Sequence, residues 1–525
     1  YTQILIDSRP VFSALSGVYG LEQIPASMIE RVEVMRGGGS ALFGSSAIAG
    51  TINIITKEPL RNSGQLSHTI TSIGGSSAFD NNTSLNASLV TDDHRAGLYI
   101  FGQNRHRSGY DYDGDGFTEL PKLKNQTVGF RSYLKTSTYS KLTFEYHHMQ
   151  EFRRGGDMLN RPPHEAHIAE QLQHSIDGGS LKFDYFSPDE KNRLSVFASA
   201  ANTDRDSYYG PGNDPLKAYG KTTDLTAMGG AQYVHTFDKC FFMPSDLTAG
   251  LEYNRDRLKD NMWGYNRHTD QTVNIYSAFL QNEWKNDRWG ILIGGRLDKH
   301  NMVDNVIFSP RANLRFNPTQ NINLRLSYSS GFRAPQAFDE DMHIENVGGT
   351  VAMIERAKNL KEEKSQSFSA SADMYHRFGV FQTNFLIEGF YTRLTDVFVL
   401  GEPYDRGDGI LVKTRSNGPG AKVMGLTLEG KVAYLSILQI QAGLTLQRSR
   451  YDEPHKWHDD APAEKKIFRT PDTYGYFTAT YTPIKPLSIA LSGTYTGRML
   501  VQRMDITAEN AELGAMPERK AEAIR

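Results

Sequence analysis

Residues 29–57 read IERVEVMRGGGSALFGSSAIAGTINIITK. Two strand-like runs, Val32–Met35 and Gly50–Thr56, flank a loop of three successive glycines and a second turn at Ala41–Gly44. Upstream, Pro25–Arg31 reads as a short helix or turn and Gln3–Asp7 as another strand. Gly37, Gly38, Gly39, Gly44 and Gly50 permit positive φ and close approach of the backbone to a neighbouring wall. Glu30, Arg31, Glu33 and Arg36 concentrate charge in the first run. Such charges fit either an ordinary surface helix with paired side chains or a polar interior in which they pair with each other and with facing strands.

Beyond about residue 65 the pattern changes to a period of two. Ile322, Leu324, Leu326 and Tyr328 alternate with Asn323, Arg325 and Ser327. Leu438, Ile440, Ala442, Leu444 and Leu446 alternate with Gln439, Gln441, Gly443 and Thr445, and Leu487, Ile489 and Leu491 with Ser488, Ala490 and Ser492. About 19 such segments of roughly ten residues can be counted, the length a tilted strand needs to cross a bilayer. Short turns, such as Thr138–Ser140 and Asn317–Gln320, alternate with long polar connections at 105–125, 150–177, 204–224, 256–272, 331–365, 400–420 and 450–471. Short turns on one side and long loops on the other favour a membrane barrel over a soluble all-β fold.

Composition agrees. Among 525 residues, 58 are Lys or Arg and 60 are Asp or Glu, a net charge of −2 that argues against a nucleic-acid-binding surface. No apolar run is long enough for a transmembrane helix, but a barrel strand with one lumenal face has low average hydropathy anyway. Forty-seven glycines, 26 tyrosines and 27 phenylalanines suit many turns and aromatic girdles. Cys240 is the single cysteine, so neither an intrachain disulfide nor a cysteine-based zinc site is available.

The stretch Ile24–Gly37, continued by Ala41–Lys57, resembles the plug signature of the TonB-dependent outer-membrane receptors. Glu30, Arg31, Glu33, Arg36, Gly37, Gly44, Gly50 and Asn53 occupy its ordered positions. Asp7 and Pro10 resemble the upstream turn of the same plug, with Ser8 where the family usually has glycine. Gly331–Pro335 with Asn359–Glu363, and Gly418–Gly430, resemble two barrel segments of the family, although Glu362 and Thr427 depart from its pattern. The resemblance implies an all-β fold: a large antiparallel transmembrane β-barrel, 22-stranded in the family, with the C-terminal half of a mixed α/β plug in its lumen. The expected division is 1–60 plug, 61–507 barrel and 508–525 a charged tail that reads as helical. The resemblance also implies that the front of the plug, with its TonB-contacting box, and the last strands lie outside this sequence.

By the same resemblance the protein is expected to be a receptor of the Gram-negative outer membrane and not an enzyme. It would import haem, a ferric siderophore or cobalamin through rearrangement of the plug, energised by the TonB complex on the periplasmic side. A surface lipoprotein is a further candidate partner, and outer-membrane lipid surrounds the barrel. Passive channels, adhesins and soluble β-rich binding proteins are the alternatives; none of them needs residues 29–57. No resident cofactor is expected.

Several residues are candidates for binding. His343 lies between the two boxes at Phe332–Arg333 and Asn359–Leu360; in haem importers of the family a histidine in this loop ligates iron, and the alternative is a solvated histidine beside Asp339, Glu340 and Asp341. Tyr208 and Tyr209, with Trp263 and Tyr265, offer rings in long loops that can stack on a flat ligand or line the barrel rim. Asp111, Asp113, Asp115 and Glu119, with Gly116, resemble the first half of a calcium-binding loop, although Lys122 stands where a bidentate glutamate would close it. His164 and His167 read as a solvated helix more readily than as a metal site.

Overall fold

The computed structural model describes residues 2–10, 25–36, 40, 44–45, 47–48, 50–211, 219–338, 342, 345–347, 350–407, 410–456, 462–506 and 519–524. Four strands form the N-terminal unit: β1 (Thr2–Ile6), β2 (Arg9–Pro10), β3 (Ile29–Arg36) and β4 (Gly50–Thr56), in the order β2-β1-β4-β3. β1 and β4 run parallel, with Thr2 opposite Gly50 and Ile6 opposite Ile54. Leu5, Ile48 and Ile54 are buried on the sheet. β1 and β2 are joined through Asp7 (φ 49°) and Ser8 (φ 64°). Two successive positive φ values are the geometry of the tightest hairpin turn, where glycine is usual. Asn53 secures Ser8 there, accepting its N–H at 2.8 Å and donating to its Oγ at 3.2 Å.

The short helix or turn expected over Pro25–Arg31 is a single 3-10 turn, Ala26–Met28. From Ile29 onward the chain pairs with β4, because a run rich in Val and Ile gains more from the ladder than from a helical turn.

The rest is the barrel. Nineteen long strands, from Ser63–Ser72 round to Leu487–Thr496, follow one another in an antiparallel meander that closes into a ring. Its distribution of side chains is inside-out. Leu326, Ile440, Leu446, Ile489 and Leu491 are exposed on the outer face, while Asp298, Asp256, Asp260, Arg205 and Arg296 are buried inside. That arrangement is stable only with hydrocarbon around it and polar matter within. At the short-turn end, rings pair into a girdle: Phe242 stacks on Trp284 (5.7 Å), Trp289 on Phe316 (4.3 Å), and Phe381 lies 5.0 Å from Tyr434.

Strand lengths differ from expectation. Ile168–Phe186, Asn192–Pro211, Tyr219–Cys240 and Met243–Met262 run for 19 to 22 residues, well beyond a membrane's thickness. Their upper parts are polar enough to read as loop, but unbroken ladders to both neighbours keep them extended. Tyr208 and Tyr209, expected in a loop, therefore lie on a strand. The tail also differs from expectation: Arg519–Ile524 is a strand paired antiparallel with Val501–Ile506, not a helix.

Candidate functional site

The N-terminal unit is attached to the barrel wall by charge. The wall residues Arg131 and Glu145 face each other on adjacent strands, Thr118–Ser137 and Ser140–Gly156. The β1–β2 turn brings Asp7 and Arg9 to them. Arg131 lies 2.6 Å from Asp7 and 2.9 Å from Glu145, and Arg9 lies 3.0 Å from Glu145. Glu58, just after β4, adds contacts to Arg131 (3.4 Å) and Lys141 (2.9 Å). Asp7 also accepts from the N–H (3.0 Å) and hydroxyl (2.6 Å) of Thr56, which itself accepts a hydrogen bond from Arg131. Arg131, Asp7 and Glu145 are largely buried, and three anions meet three cations, so the network is both desolvated and balanced.

Two further contacts join the units. A Cβ on Gly44 (φ +77°) would sit 3.1 Å from the Arg296 guanidinium, which is held by Glu252 (2.7 Å) and Asp298 (2.8 Å). Only glycine combines that backbone with that approach. At Gly331 a Cβ would lie 3.0 Å from Ser40 Oγ and 3.1 Å from the Ala47 carbonyl, and Phe332 donates its N–H to Ser40 (3.3 Å).

The signature residues have distinct places. Arg31 pairs with Glu33 (2.8 Å), and Glu33 accepts from Asn53 (3.1 Å); Glu30 is exposed. Arg36 belongs to β3, whereas Gly37 lies outside the described residues. The charges that hold the wall are thus Asp7, Arg9 and Glu58 rather than the signature cluster. Asp7 was visible as part of a turn, but Arg131 and Glu145 carried no signal, since inward charges recur all round such a barrel.

At the long-loop end, segments of loops 334–362 and 396–420 build a small five-stranded sheet. Its Met353 and Val412 pack on Leu172, Tyr208, Tyr209 and Tyr265 in one buried cluster. Tyr208 and Tyr209 are covered by it, while Trp263 is exposed. Phe332 is buried with Val303, Ile307 and Ala334, and the Arg333 guanidinium lies 3.9 Å from the Phe338 ring centre. His343 lies outside the described residues.

The acidic loop does converge: Asp111, Asp113, Asp115 and Glu119 place oxygens all within 4.8 Å of one another. Asp111 accepts from the N–H groups of Gly114 (2.7 Å) and Gly116 (2.9 Å), both at positive φ. His164 and His167 do not converge; they contact Tyr219 (3.0 Å) and Asp157 (2.6 Å) separately.

A polar-lined, apolar-coated barrel with a separate, charge-anchored unit against its inner wall is the architecture of an outer-membrane protein. The family models agree: "TonB dependent receptor-like, beta-barrel" matches residues 50–512 and "TonB-dependent Receptor Plug Domain" matches residues 1–51. The chain belongs to the TonB-dependent receptor family, whose members are transporters and receptors of the outer membrane and not enzymes. It is 24% identical over 353 residues to the vitamin B12 transporter BtuB of Vibrio vulnificus (64% of this chain, 52% of the relative). To the iron-regulated outer membrane virulence protein of Vibrio cholerae serotype O1 it is 27% identical over 357 residues (64% and 50%). The chain spans about half the length of the curated relatives it matches. In structure it is similar to the siderophore receptor PirA of Acinetobacter baumannii (TM-score 0.78, 16% identity, 100% of this chain and 83% of that one). It is similar also to the ferric enterobactin receptor PfeA of Pseudomonas aeruginosa (TM-score 0.78, 17% identity, 99% and 82%).

Proposed function

We propose that the protein is an active importer of a scarce ligand too large for passive pores, a ferric siderophore, haem or cobalamin. Residues 1–60 act as the plug and 61–507 as the wall. The observation that carries this reading is the plug-to-wall network centred on Arg131: a domain held inside a lumen by a balanced set of buried ion pairs closes the pore at rest. Opening it requires work on the plug, which the TonB complex supplies from the periplasmic side. Ligand engages the loop end first, where His343 and Arg333 remain candidates for contact; a surface lipoprotein is a candidate helper there. A passive channel or adhesin would have no use for a charge-anchored domain in its lumen.

The test is growth on iron-limited medium, or on cobalamin-limited medium, of cells in which this receptor is the sole route for the supplied ligand. Growth should require TonB. Equal growth without TonB would refute energised import.

The acidic loop supports a secondary reading. Four carboxylates this close repel one another, and no Lys or Arg lies within ion-pair range of them among the described residues. We propose that calcium orders residues 111–119, with oxygens of Asp111, Asp113, Asp115 and Glu119 as ligands.

A further inference from the structure

Residues directly opposite one another on paired strands share a face of the sheet, so the register lays side chains out in rows across the barrel wall. One row, toward the long-loop end, reads Ser330, Gln366, Arg393, Lys422, Arg450, Lys466. Below it runs Tyr328, Phe368, Tyr391, Met424, Arg448, and below that Leu326, Ala370, Gly389, Leu426, Leu446. Phe368, Met424 and Leu446 are exposed, so this is the outer face. Tyr391 and Met424 stand about ten residues above the girdle pair Phe381–Tyr434, which is one bilayer crossing. The first row therefore lies at headgroup level and the lower two among acyl chains.

The lower rows are not smooth. A Cβ on Gly389 would meet nothing within 4 Å. Together with Ala370 it floors a trough of about 1190 Å³, walled by Leu314 and Leu326 on one side and by Leu426 and Leu446 on the other. With strands about 4.8 Å apart, the trough measures about 14 Å from Leu326 to Leu426, room for acyl chains side by side. Tyr328, at its upper end, also lines a second hollow of about 370 Å³ with Ser330, Lys364, Gln366 and Arg393. The Ser330 hydroxyl is buried there without a hydrogen-bond partner.

The first row sets four cations, Arg393, Lys422, Arg450 and Lys466, on neighbouring strands. Like charges directly opposite one another destabilise a sheet. Asp452 answers Arg393 (3.0 Å) and Lys422 (2.9 Å), and Asp472 answers Lys466 (2.6 Å). Arg448 and Arg450 are exposed and have no ion-pair partner among the described residues. Guanidinium groups in that position match phosphate oxygens in charge and in geometry.

We propose that this sector is a docking site for one phosphorylated, multiply acylated lipid of the outer leaflet. Its acyl chains lie in the trough over Ala370 and Gly389, its phosphate accepts from Arg448 and Arg450, and its headgroup reaches along the row to Ser330. A second copy of the chain fits the face poorly, because a two-fold contact would set the same cations against each other. The site belongs to the wall and is independent of what the receptor imports.

Native mass spectrometry of the detergent-solubilised protein tests this, with lipid A, lipid A stripped of its phosphates, phosphatidylglycerol and inorganic phosphate as probes. One molecule of lipid A should be retained, and the other probes should bind at least about tenfold more weakly. R448Q/R450Q should weaken retention of lipid A about tenfold, and so should G389L, which fills the trough. R255Q/R257Q, at an exposed basic pair on another part of the outer face, should leave it unchanged. Heat resistance of the barrel on a gel checks that each variant is folded; if G389L fails that check, A370L fills the trough from the next strand. No retained lipid A, retention unchanged in R448Q/R450Q or in the trough variant, equal loss in R255Q/R257Q, or equal binding of another probe would each overturn the site.

Discussion

Arg131 is shared by three carboxylates, Asp7 and Glu58 from the N-terminal segment and Glu145 from the wall, and neither Asp7 nor Glu145 has another cation as close. Replacing it with Gln leaves Asp7 and Glu145 in a largely desolvated place with Arg9 as their one remaining close cation among the described residues. Breaking a buried pair from one side costs about 3 kcal/mol, and here the loss falls on plug attachment rather than on the barrel. R131Q should therefore make the plug more sensitive to protease while the barrel keeps its heat resistance; R131K should recover part of the loss. Equal protease sensitivity of wild type and R131Q would show that the network contributes nothing. Asn53 is the second such residue, since it bridges Ser8 and Glu33 from β4. N53A should destabilise the plug by about 1–3 kcal/mol, the cost of leaving its partners unsatisfied, read as a lower urea midpoint for plug unfolding. The signature positions were legible because glycine and asparagine in fixed order have few other uses. The wall partners were not, because one inward charge among many looks the same in sequence whichever domain it meets.

At the scale of the element, the alternation of Leu, Ile and Tyr with Ser, Gln and Thr read out as strands without ambiguity, and their number agrees with the sheet. Their ends did not. Above the membrane a strand such as Tyr219–Cys240 no longer needs an apolar face, so periodicity fades while pairing continues. The lid-like sheet built from two long loops was invisible for the same reason: its pairing partners are distant in sequence, with Ala352 opposite Leu411. An odd count of antiparallel strands brings the first and last together pointing the same way, and both, Ser63–Ser72 and Leu487–Thr496, are exposed along nearly all of their length. Hydrogen exchange should be faster in these two strands than in Tyr219–Cys240 and Met243–Met262; uniform protection round the ring would contradict a weak seam. The acidic loop adds one more expectation. Calcium should slow exchange across residues 111–119, and D113N should weaken that effect; identical exchange with calcium and with chelator would end the calcium reading.

For the molecule as a whole, the decisive feature is inversion. Apolar side chains coat the outside, while ionised groups such as Asp298 and Arg296 are buried within. A net charge near zero and low hydropathy are what that inversion looks like in composition, which is why membrane residence was legible without a single apolar run. The cations at the loop end were less legible, because they are scattered along the chain and only the fold assembles them. The central claim is that the plug, held by charge, closes the lumen. Conductance in a planar bilayer measures this directly. The reconstituted receptor should hold near-baseline current, and R131E, which sets a fourth carboxylate beside Asp7, Glu58 and Glu145 at the plug's anchor, should produce open-channel events. A steady large conductance from the unaltered protein, or no change with R131E, would contradict the account.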